Sequence, residues 1–335
     1  MCLADALGVK PLRYKVLATD TVSPTFDLER QWLAECDAEL LVPENETAIP
    51  DLAPQADAVL NCYFKIGADL IKRLDACRII ARTGTGVDNV DMAAATARGI
   101  LVTNVPDYCV DEVAEHALSL LLSLARRVPF MDRAVHAGTW GQAPHRPLYR
   151  IRGKVLGLVG LGNIGRALAQ RARGIGLEVL AFDPFVTAEA ASAAMTRKVD
   201  RLEDLLAQSH YVSIHAPLTK DTHHLIAARE LGMMRRDAYL VNCSRGGLVD
   251  EAALAAAVTA GQIRGAALDV LEREAYDPSN PVFSCDGILI TPHAAFYSEE
   301  SLIELRQKAV DEIKRRLTGT PPRCPVNPEV LRAPQ

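Results

Sequence analysis

The sequence predicts an α/β protein made of two doubly wound domains, each built on a parallel sheet with helices on both faces. The chain has 335 residues, which exceeds the length of about 250 residues at which a single hydrophobic core stops growing. Short apolar runs alternate with helix-compatible stretches at the start of the chain, and the same alternation resumes after residue 154. Near-continuous apolar strands separated by helices are typical of parallel sheets that are buried on both faces.

Five apolar runs predict the strands of the first domain. They cover residues 14–19, 39–42, 58–62, 79–82 and 100–105. A long helix is then predicted over residues 110–128, because apolar residues recur at helical spacing there. Acidic Asp111 and Glu112 open that segment and basic Arg126 and Arg127 close it, which matches the helix dipole at both ends.

The second domain is predicted to open after a loop at residues 138–153, where prolines and glycines interrupt any regular period. Its six strands are predicted at residues 155–159, 179–182, 211–215, 239–242, 265–269 and 288–291. A final helix is predicted over residues 299–317, and Gly319 followed by Pro321 marks its end. Six strands that alternate with helices are typical of a dinucleotide-binding domain.

Composition and charge exclude several classes of function. The net charge is -5, and no block of Lys and Arg supplies the basic surface that a nucleic-acid partner requires. No apolar run reaches the length of about 18 residues that a membrane helix needs. Residues 1–10 lack the pattern of a signal peptide, and the eight cysteines, Cys2 among them, show no C-x-x-C spacing. A cytoplasmic protein with reduced thiols and a small-molecule substrate is therefore expected.

A glycine motif marks the expected cofactor site. Gly160, Gly162 and Gly165 form G-x-G-x-x-G where an apolar strand gives way to an amphipathic helix. In that context the first glycine permits the turn, the second lets the backbone approach a pyrophosphate, and the third allows the helix to pack on the strand. Asp183 ends the next strand, where a carboxylate can accept both ribose hydroxyls and repel a 2′-phosphate. The pattern predicts NAD as the cofactor.

Two alternatives stay open at this site. The glycines can form an ordinary strand-to-helix turn beside a solvated aspartate, and Arg166 or Arg197 can accommodate the 2′-phosphate of NADP. A second glycine pair, Gly84 and Gly86, lacks the third glycine of the motif because Asn89 stands in its place. That segment is instead expected to be a substrate loop.

Three polar residues, Arg245, Glu274 and His293, each follow a short apolar run. Ligands of open α/β sheets bind outside the carboxyl ends of the strands, so these side chains are expected to converge. A guanidinium stays charged and planar, and Arg245 can therefore pair with the carboxylate of a 2-keto acid and polarise its carbonyl. His293 can exchange the proton of the alkoxide while Glu274 fixes its tautomer. A nicotinamide beside them would exchange the hydride.

Each of these three residues also has a structural explanation when it is taken singly. Arg245 can pair with Asp250 or Asp269, and Glu274 can be solvated. His293 can be a loop histidine whose hydrogen bonds are satisfied. The catalytic interpretation therefore depends on the three residues taken together, in the order Arg, Glu and His along the chain after the dinucleotide-binding motif.

Other histidines are expected to be structural. His223 and His224 are adjacent in the sequence, so their side chains should diverge and cannot share a metal ion as residues four apart on a helix do. His116 lies inside the predicted long helix, where a histidine more often packs than reacts. No metal site is expected.

The order Arg, Glu and His on successive βα units, behind the glycine motif, resembles the D-2-hydroxyacid dehydrogenase family. The matching segments are RTGTGVDN at 82–89, VGLGNIG at 159–165, HAPLT at 215–219, VNCSRGGLVD at 241–250, ALDVLERE at 267–274 and TPHAA at 291–295. Within the family, THHLI at 222–226 and TPHAAFYSEE at 291–300 resemble the branch that contains the C-terminal-binding-protein corepressors. The family usually has proline directly after the catalytic glutamate, where this chain has Ala275.

The resemblance implies a particular domain arrangement. A Rossmann NAD-binding domain, residues 108–296, would be inserted into a flavodoxin-like substrate domain of residues 1–107 and 297–335. A homodimer would form largely through the long helix and the loop that follows it.

The resemblance also implies the roles of individual residues. Arg245, Glu274 and His293 would be catalytic. Substrate would contact Arg82, Gly84 and Phe296, although Phe296 can equally be a packing residue. The residues implied to bind NAD are Thr85, Gly160, Leu161, Gly162, Asn163, Ile164, Gly165, Asp183, Ala216, Pro217, Thr222, Cys243, Ser244, Arg245, Asp269, His293 and Ala295.

The leading hypothesis is an NAD-dependent oxidoreductase that interconverts a 2-keto acid and a D-2-hydroxy acid. An alternative is an NAD(H)-sensing dimeric scaffold related to the corepressors, with little or no turnover. A third keeps the same three residues but uses a different donor, as in the oxidation of formate or phosphite. No nucleic-acid or membrane partner is expected, and the identity of the 2-hydroxy acid does not follow from the sequence.

Overall fold

The computed structural model describes residues 13–332. Residues 1–10 and Cys2, on which two of the expectations rest, lie outside that range. The chain divides into two compact units, one formed up to Tyr108 and again from Ser298 onward, the other formed by Cys109–Tyr297. The second unit is therefore inserted into the sequence of the first.

The first unit is built on a five-stranded sheet. Its strands are β1 (Tyr14–Ala18), β2 (Ala38–Leu41), β3 (Ala58–Asn61), β4 (Ile79–Arg82) and β5 (Leu101–Thr103). They pair in parallel in the order β2-β1-β3-β4-β5, which is the flavodoxin-like order. The α-helices described in this unit are α1 (Asp27–Ala34), α2 (Ile49–Leu52), α3 (Ala68–Lys72), α4 (Met92–Ala97) and α12 (Glu299–Leu317).

Apolar residues of the strands hold the first unit together. Leu17, Val59, Ile80 and Val102 come from four different strands and lie in one buried cluster. All four residues of β3 are buried, as expected for a strand that has helices on both faces. The core therefore lies between the sheet and its helices.

A buried ion pair joins two helices of the first unit. Arg306 of α12 and Glu29 of α1 are only 7% and 1% exposed, and Arg306 Nη2 donates to Glu29 Oε2 at 2.6 Å while Nε donates to the other carboxylate oxygen. Nη2 also donates to the carbonyl of Thr25 at 3.0 Å. The fork of the guanidinium thus meets both carboxylate oxygens, the strongest geometry available to such a pair.

The second unit is built on a seven-stranded parallel sheet. Its strands are β6 (Val155–Val159), β7 (Glu178–Phe182), β8 (Arg197–Lys198), β9 (Tyr211–Ile214), β10 (Tyr239–Asn242), β11 (Gly265–Leu268) and β12 (Ile288–Ile290). Their order is β12-β11-β10-β9-β6-β7-β8, which contains the Rossmann order with one additional strand at the β12 edge. The α-helices described here are α5 (Val110–Arg126), α6 (Val128–His136), α7 (Asn163–Gly174), α8 (Ala188–Ala193), α9 (Leu202–Gln208), α10 (Ala228–Met233) and α11 (Glu251–Thr259).

The prediction of two doubly wound parallel-sheet domains is confirmed, and two of its details were wrong. The helix expected over 110–128 ends at Arg126, and Arg127 adopts a left-handed conformation with φ +54° before α6 begins. Pro129 explains the break, because it cannot donate to a preceding carbonyl and its ring would clash with the helix backbone. Strand β8 was missed because it has only two residues, at the edge of the sheet, with little apolar pattern.

No helix in the described range is both long and apolar enough to cross a membrane.

Candidate active site

Most of the predicted site residues lie at one edge of the second unit's sheet. Each of them comes after the carboxyl end of a strand. The residues are Gly160 to Gly165 after β6, Asp183 after β7, and Ala216, Pro217 and Thr222 after β9. The others are Cys243, Ser244 and Arg245 after β10, Asp269 and Glu274 after β11, and His293, Ala295 and Phe296 after β12. Because all seven strands run in parallel, their carboxyl ends meet at this edge, where ligands of such sheets bind.

The glycine motif forms a tight turn between β6 and α7. Gly160 has φ +99°, and a Cβ there would lie 2.6 Å from the carbonyl oxygen of His215. A Cβ at Gly165 would lie 2.6 Å from the carbonyl oxygen of Gly160, whereas Gly162 faces open space. Gly162 is also the N-cap of α7, and no side chain caps the helix there. The first amides of a 12-residue helix are thus aimed at an open space that suits a pyrophosphate.

The carboxylate of Asp183 braces this turn. Its Oδ2 accepts from the Leu161 amide at 2.8 Å, and its Oδ1 accepts from the Phe185 amide at 2.9 Å. Each oxygen keeps a second lone pair for a ribose hydroxyl. The two arginines considered for NADP make other bonds, since Arg166 Nε donates to the carbonyl of Leu161 at 3.0 Å and Arg197 donates to a glutamine at 2.9 Å.

The loops after β9 and β10 are held by their own polar side chains. Thr222 Oγ1 donates to the carbonyl of Pro217 at 2.7 Å, which closes the first loop on itself. Ser244 Oγ donates to the carbonyl of Ile214 at 2.8 Å and thus ties the second loop to the end of β9. Burial raises the pKa of the Cys243 thiol, so this residue packs as a neutral group.

His293 and Glu274 form a hydrogen-bonded pair. His293 Nδ1 lies 2.8 Å from Glu274 Oε1 and 2.9 Å from Oε2. The backbone of His293 has φ +53°, and its amide donates to the carbonyl of Asp269 at 2.7 Å. The ring of Phe296 meets the imidazole edge-on, with centroids 5.9 Å apart. With Nδ1 engaged by a carboxylate, Nε2 is the nitrogen that can exchange a proton with a ligand.

In the loop of Glu274, Ala275 makes a backbone hydrogen bond that the proline usual at this position of the family could not make. The amide of Ala275 donates to the carbonyl of Arg273 at 2.8 Å. Proline has no amide hydrogen and could not make this bond. The backbone on either side of Glu274 is therefore fixed by a hydrogen bond where a proline ring would fix it covalently.

A buried carboxylate supports the turn that carries His293. Asp269, 1% exposed, accepts from the amides of Ala294 and Ala295 at 3.0 and 2.9 Å and from the hydroxyl of Thr291. His116 Nε2 lies 3.0 Å from that hydroxyl and 3.4 Å from Asp269 Oδ1. Burial alone would raise the pKa of Asp269, but these hydrogen bonds together lower it. No sequence pattern indicates this contact of His116, which is 175 positions from Thr291.

Arg245 lies in a loop that packs directly against the loop of the pair. Its Nη1 donates to the carbonyl of Ser244 at 2.8 Å, and its own carbonyl accepts from Asn242 Nδ2 at 2.9 Å. A Cβ added at the next residue, Gly246, would lie 1.9 Å from the carbonyl carbon of Leu271. Only glycine lets these two loops approach so closely. Adjacent strands therefore bring the Arg245 loop beside the loop that continues to Glu274.

The remaining predicted residues belong to the first unit. Arg82 ends β4, and its guanidinium covers Gly84, because a Cβ on that glycine would lie 1.0 Å from Arg82 Nη1. Nη1 donates to the carbonyl of Thr83 at 3.0 Å, whereas the buried Nε has no hydrogen-bond partner. Thr85 Oγ1 donates to the carbonyl of Val105 at 3.2 Å.

The expectation that His223 and His224 diverge was wrong. Their rings stack, with centroids 4.0 Å apart and an angle of 26° between the planes. His224 has φ +51°, and this left-handed backbone turns its side chain toward that of its neighbour. His224 Nε2 also lies 3.0 Å from Glu272 Oε1.

His215 gives the second unit a predicted dependence on pH. Its Nδ1 is shut off from solvent without a hydrogen-bond partner, and its Nε2 lies 2.8 Å from Ser213 Oγ. Burial lowers the pKa of His215 to about 4, whereas an unfolded histidine titrates near pH 6.5. Between these values the unfolded chain binds a proton that the folded chain does not, so stability falls as the pH falls.

We expect the free energy of unfolding of the second unit to drop by at most about 2 kcal/mol between pH 6.5 and pH 5 because of this group, since 1.5 pH units correspond to that energy. Urea denaturation at the two pH values measures it. In His215→Gln, which keeps a polar partner for Ser213, this part of the pH dependence should vanish. An identical slope in both proteins would contradict the assignment to His215.

Comparisons with known proteins show what the chain is similar to. Residues 118–295 match the family model described as "D-isomer specific 2-hydroxyacid dehydrogenase, NAD binding domain". The chain is 38% identical to D-3-phosphoglycerate dehydrogenase of Archaeoglobus fulgidus over 84% of its own length and 53% of the relative. It is 36% identical to glyoxylate reductase of Korarchaeum cryptofilum over 87% of its own length and 88% of the relative. The chain thus spans about half the length of the first of these relatives.

A solved structure gives the same fold. D-lactate dehydrogenase of Aquifex aeolicus, in complex with NAD and lactic acid, superposes with a TM-score of 0.81 at 27% identity, covering 91% of this chain and 96% of that one. The open turn at Gly162 and the carboxylate at Asp183 fit the same dinucleotide in this chain. The resemblance to the corepressor branch stays a prediction.

Proposed function

The chain belongs to the D-isomer specific 2-hydroxyacid dehydrogenase family, and from that premise we propose that it interconverts a 2-keto acid and a D-2-hydroxy acid. Its second unit is an NAD-binding domain. The observation that carries the proposal is the His293–Glu274 pair, with 2.8 Å between Nδ1 and Oε1, at the edge of the sheet where the glycine turn opens. A pair suited to acid–base catalysis and a glycine turn suited to a dinucleotide thus lie at the same edge of one sheet.

The side chains divide the chemistry among them. The glycine turn and Asp183 would hold NAD, which would supply the hydride chemistry: the oxidised form would accept the hydride of the hydroxy acid, and the reduced form would donate one to the keto acid. His293 gives a proton to the developing alkoxide through Nε2 during reduction and accepts it during oxidation. Glu274 holds the imidazole by Nδ1 and so leaves Nε2 for the substrate. Arg245 pairs with the substrate carboxylate and polarises the carbonyl, a role that suits a permanent planar cation.

The remaining assignments form part of the same proposal. Residues 108–296 serve as the NAD-binding domain, and residues 1–107 with 297–335 serve as the substrate domain. Arg82 and Gly84 contact substrate from a loop in which the guanidinium already covers the glycine, and Phe296 forms an aromatic wall beside the imidazole. The protein acts as a homodimer.

A cytoplasmic location fits the cysteines. Burial raises the pKa of Cys62 and Cys77 to about 12, so both are protonated packing groups in the core of the first unit. Neither is in a disulfide, as expected in a reducing compartment.

The proposal is tested by NADH oxidation with a panel of 2-keto acids of increasing side-chain size, including glyoxylate, pyruvate, hydroxypyruvate and phenylpyruvate. We expect turnover with at least one of them, and chiral chromatography should identify the D-isomer as product. Formate with NAD serves as the test of a different donor. Tight NADH binding without turnover of any 2-keto acid would contradict the proposal and would instead suit a dinucleotide-sensing scaffold, which the relatives, named as enzymes, do not favour.

A further inference from the structure

The second unit carries a cluster of metal-binding groups apart from the His293–Glu274 pair. His223, His224 and Glu272 each offer one ligand atom, and these atoms all lie within 4.8 Å of one another. His224 Nε2 is 3.0 Å from Glu272 Oε1, and the two imidazole rings stack at 4.0 Å. Ligands of a tetrahedral zinc ion lie about 3.3 Å apart, as follows from bond lengths of about 2.0–2.1 Å. Small side-chain rotations are therefore enough to surround an ion.

Backbone hydrogen bonds fix the histidine side of this cluster. The amide of His223 donates to the carbonyl of Thr219 at 3.0 Å, and that of His224 donates to the carbonyl of Gly247 at 2.8 Å. His224 adopts φ +51°, a conformation uncommon for a residue with a side chain. This backbone sets both imidazoles on the same side of the loop, although sequence neighbours usually point apart.

The backbone of Glu272, the third residue of the cluster, is fixed by a separate hydrogen bond. The amide of Glu272 donates to Glu251 Oε1 at 2.6 Å, and Glu251 is only 7% exposed. The neighbouring cation, Arg273, lies 3.9 Å from Asp277 and is directed toward that carboxylate. The ligand atoms are thus presented by two loops whose backbones are each anchored to the body of the unit.

The donor set selects the class of ion. Two imidazole nitrogens and one carboxylate are the ligands of zinc sites that keep a fourth position for water. Calcium and magnesium prefer oxygen ligands alone, so they fit this set poorly. His223 and Glu272 are exposed, which lets an ion enter and leaves room for a water ligand.

We propose that His223, His224 and Glu272 bind one divalent ion of the zinc class. The ion joins the loop of Thr222 to the loop that continues to Glu274, so it braces two of the segments at the carboxyl edge of the sheet. The site is separate from the His293–Glu274 pair and does not depend on the proposed dehydrogenase activity.

The test is a zinc titration of the full-length protein after chelator treatment, in competition with a chromophoric zinc indicator. We expect one equivalent to bind saturably. Affinity should fall at least about 10-fold in His223→Gln, His224→Asn and Glu272→Gln, because each removes one of three ligands. Asparagine is chosen at 224 because it tolerates a left-handed backbone, so the loop keeps its conformation.

A matched control is His136→Gln. His136 and Asp132 form another exposed histidine–carboxylate pair of this unit, 3.6 Å apart, and the variant should bind zinc as the parent does. Cobalt should give the intense visible absorption of a four-coordinate ion in the parent and lose it in His224→Asn. The proposal is overturned if the parent shows no saturable binding, if the three ligand variants keep the parent's affinity, or if only a His293 variant loses it.

Discussion

Replacing His293 by asparagine should lower kcat for the preferred 2-keto acid by about 10³-fold, while the affinity for NADH changes by less than about threefold. The imidazole is the group proposed to exchange the proton, and its removal leaves the glycine turn and Asp183 untouched. Asparagine is the informative replacement because residue 293 has φ +53°, which asparagine tolerates better than alanine does. Steady-state rates and a titration of protein fluorescence with NADH provide the two numbers.

Two controls separate chemistry from structure. His136→Asn makes the same replacement on an exposed helix of the same unit and should leave kcat unchanged. Glu274→Gln keeps a hydrogen-bond acceptor beside Nδ1 and so still orients the imidazole, and it should therefore lower kcat less than His293→Asn does. Near-normal turnover in His293→Asn would show that another group exchanges the proton.

Glu29→Ala should destabilise the first unit by about 3–5 kcal/mol, because it leaves the buried guanidinium of Arg306 without its partner. Urea unfolding can be followed through Trp32, which lies on the same helix as Glu29. The chain has two tryptophans, and replacing the exposed Trp140 by phenylalanine makes the signal specific to the first unit.

An exposed ion pair between the end of α1 and α12 provides a matched control. Glu35, 58% exposed, follows α1 and pairs with Lys314 of α12, so Glu35→Ala should cost less than about 1 kcal/mol. The double variant Glu29→Leu with Arg306→Met should recover much of the loss, because an apolar pair needs no charge compensation. Equal effects of the two single alanine variants would show that burial adds nothing to the Glu29–Arg306 pair.

The parts of the fold that sequence could predict are those governed by local patterns. The buried strands are continuous apolar runs, and the glycine turn has its own spacing. The break at Arg127 also had a signal, because Pro129 cannot donate to the carbonyl four residues earlier and is favoured in the first turn of a new helix, although the helical spacing of apolar residues continues across it. Strand β8 had no such signal.

The parts that sequence could not predict depend on distant partners. Glu29 and Arg306 are 277 positions apart, and from the sequence alone each would be expected to be a solvent-exposed charge on a helix. The stacking of His223 on His224 depends on one left-handed backbone angle, which adjacent histidines do not signal. The pairing of His293 with Glu274 was expected, because both follow neighbouring strands of one sheet, whereas the Asp269–Thr291–His116 network beneath them was not.

The polarity of the second unit's sheet has a consequence for engineering. Its carboxyl edge carries the predicted cofactor and catalytic groups, whereas the opposite edge carries the turns that enter each strand. One of these turns, at Gly261, is exposed, has φ +64° and leaves open space around the glycine. Loop tips of this kind accept inserted sequence with little cost to the fold. A fluorescent domain or an affinity peptide placed there would therefore report on the protein, or immobilise it on a surface, without blocking the edge that carries the proposed site.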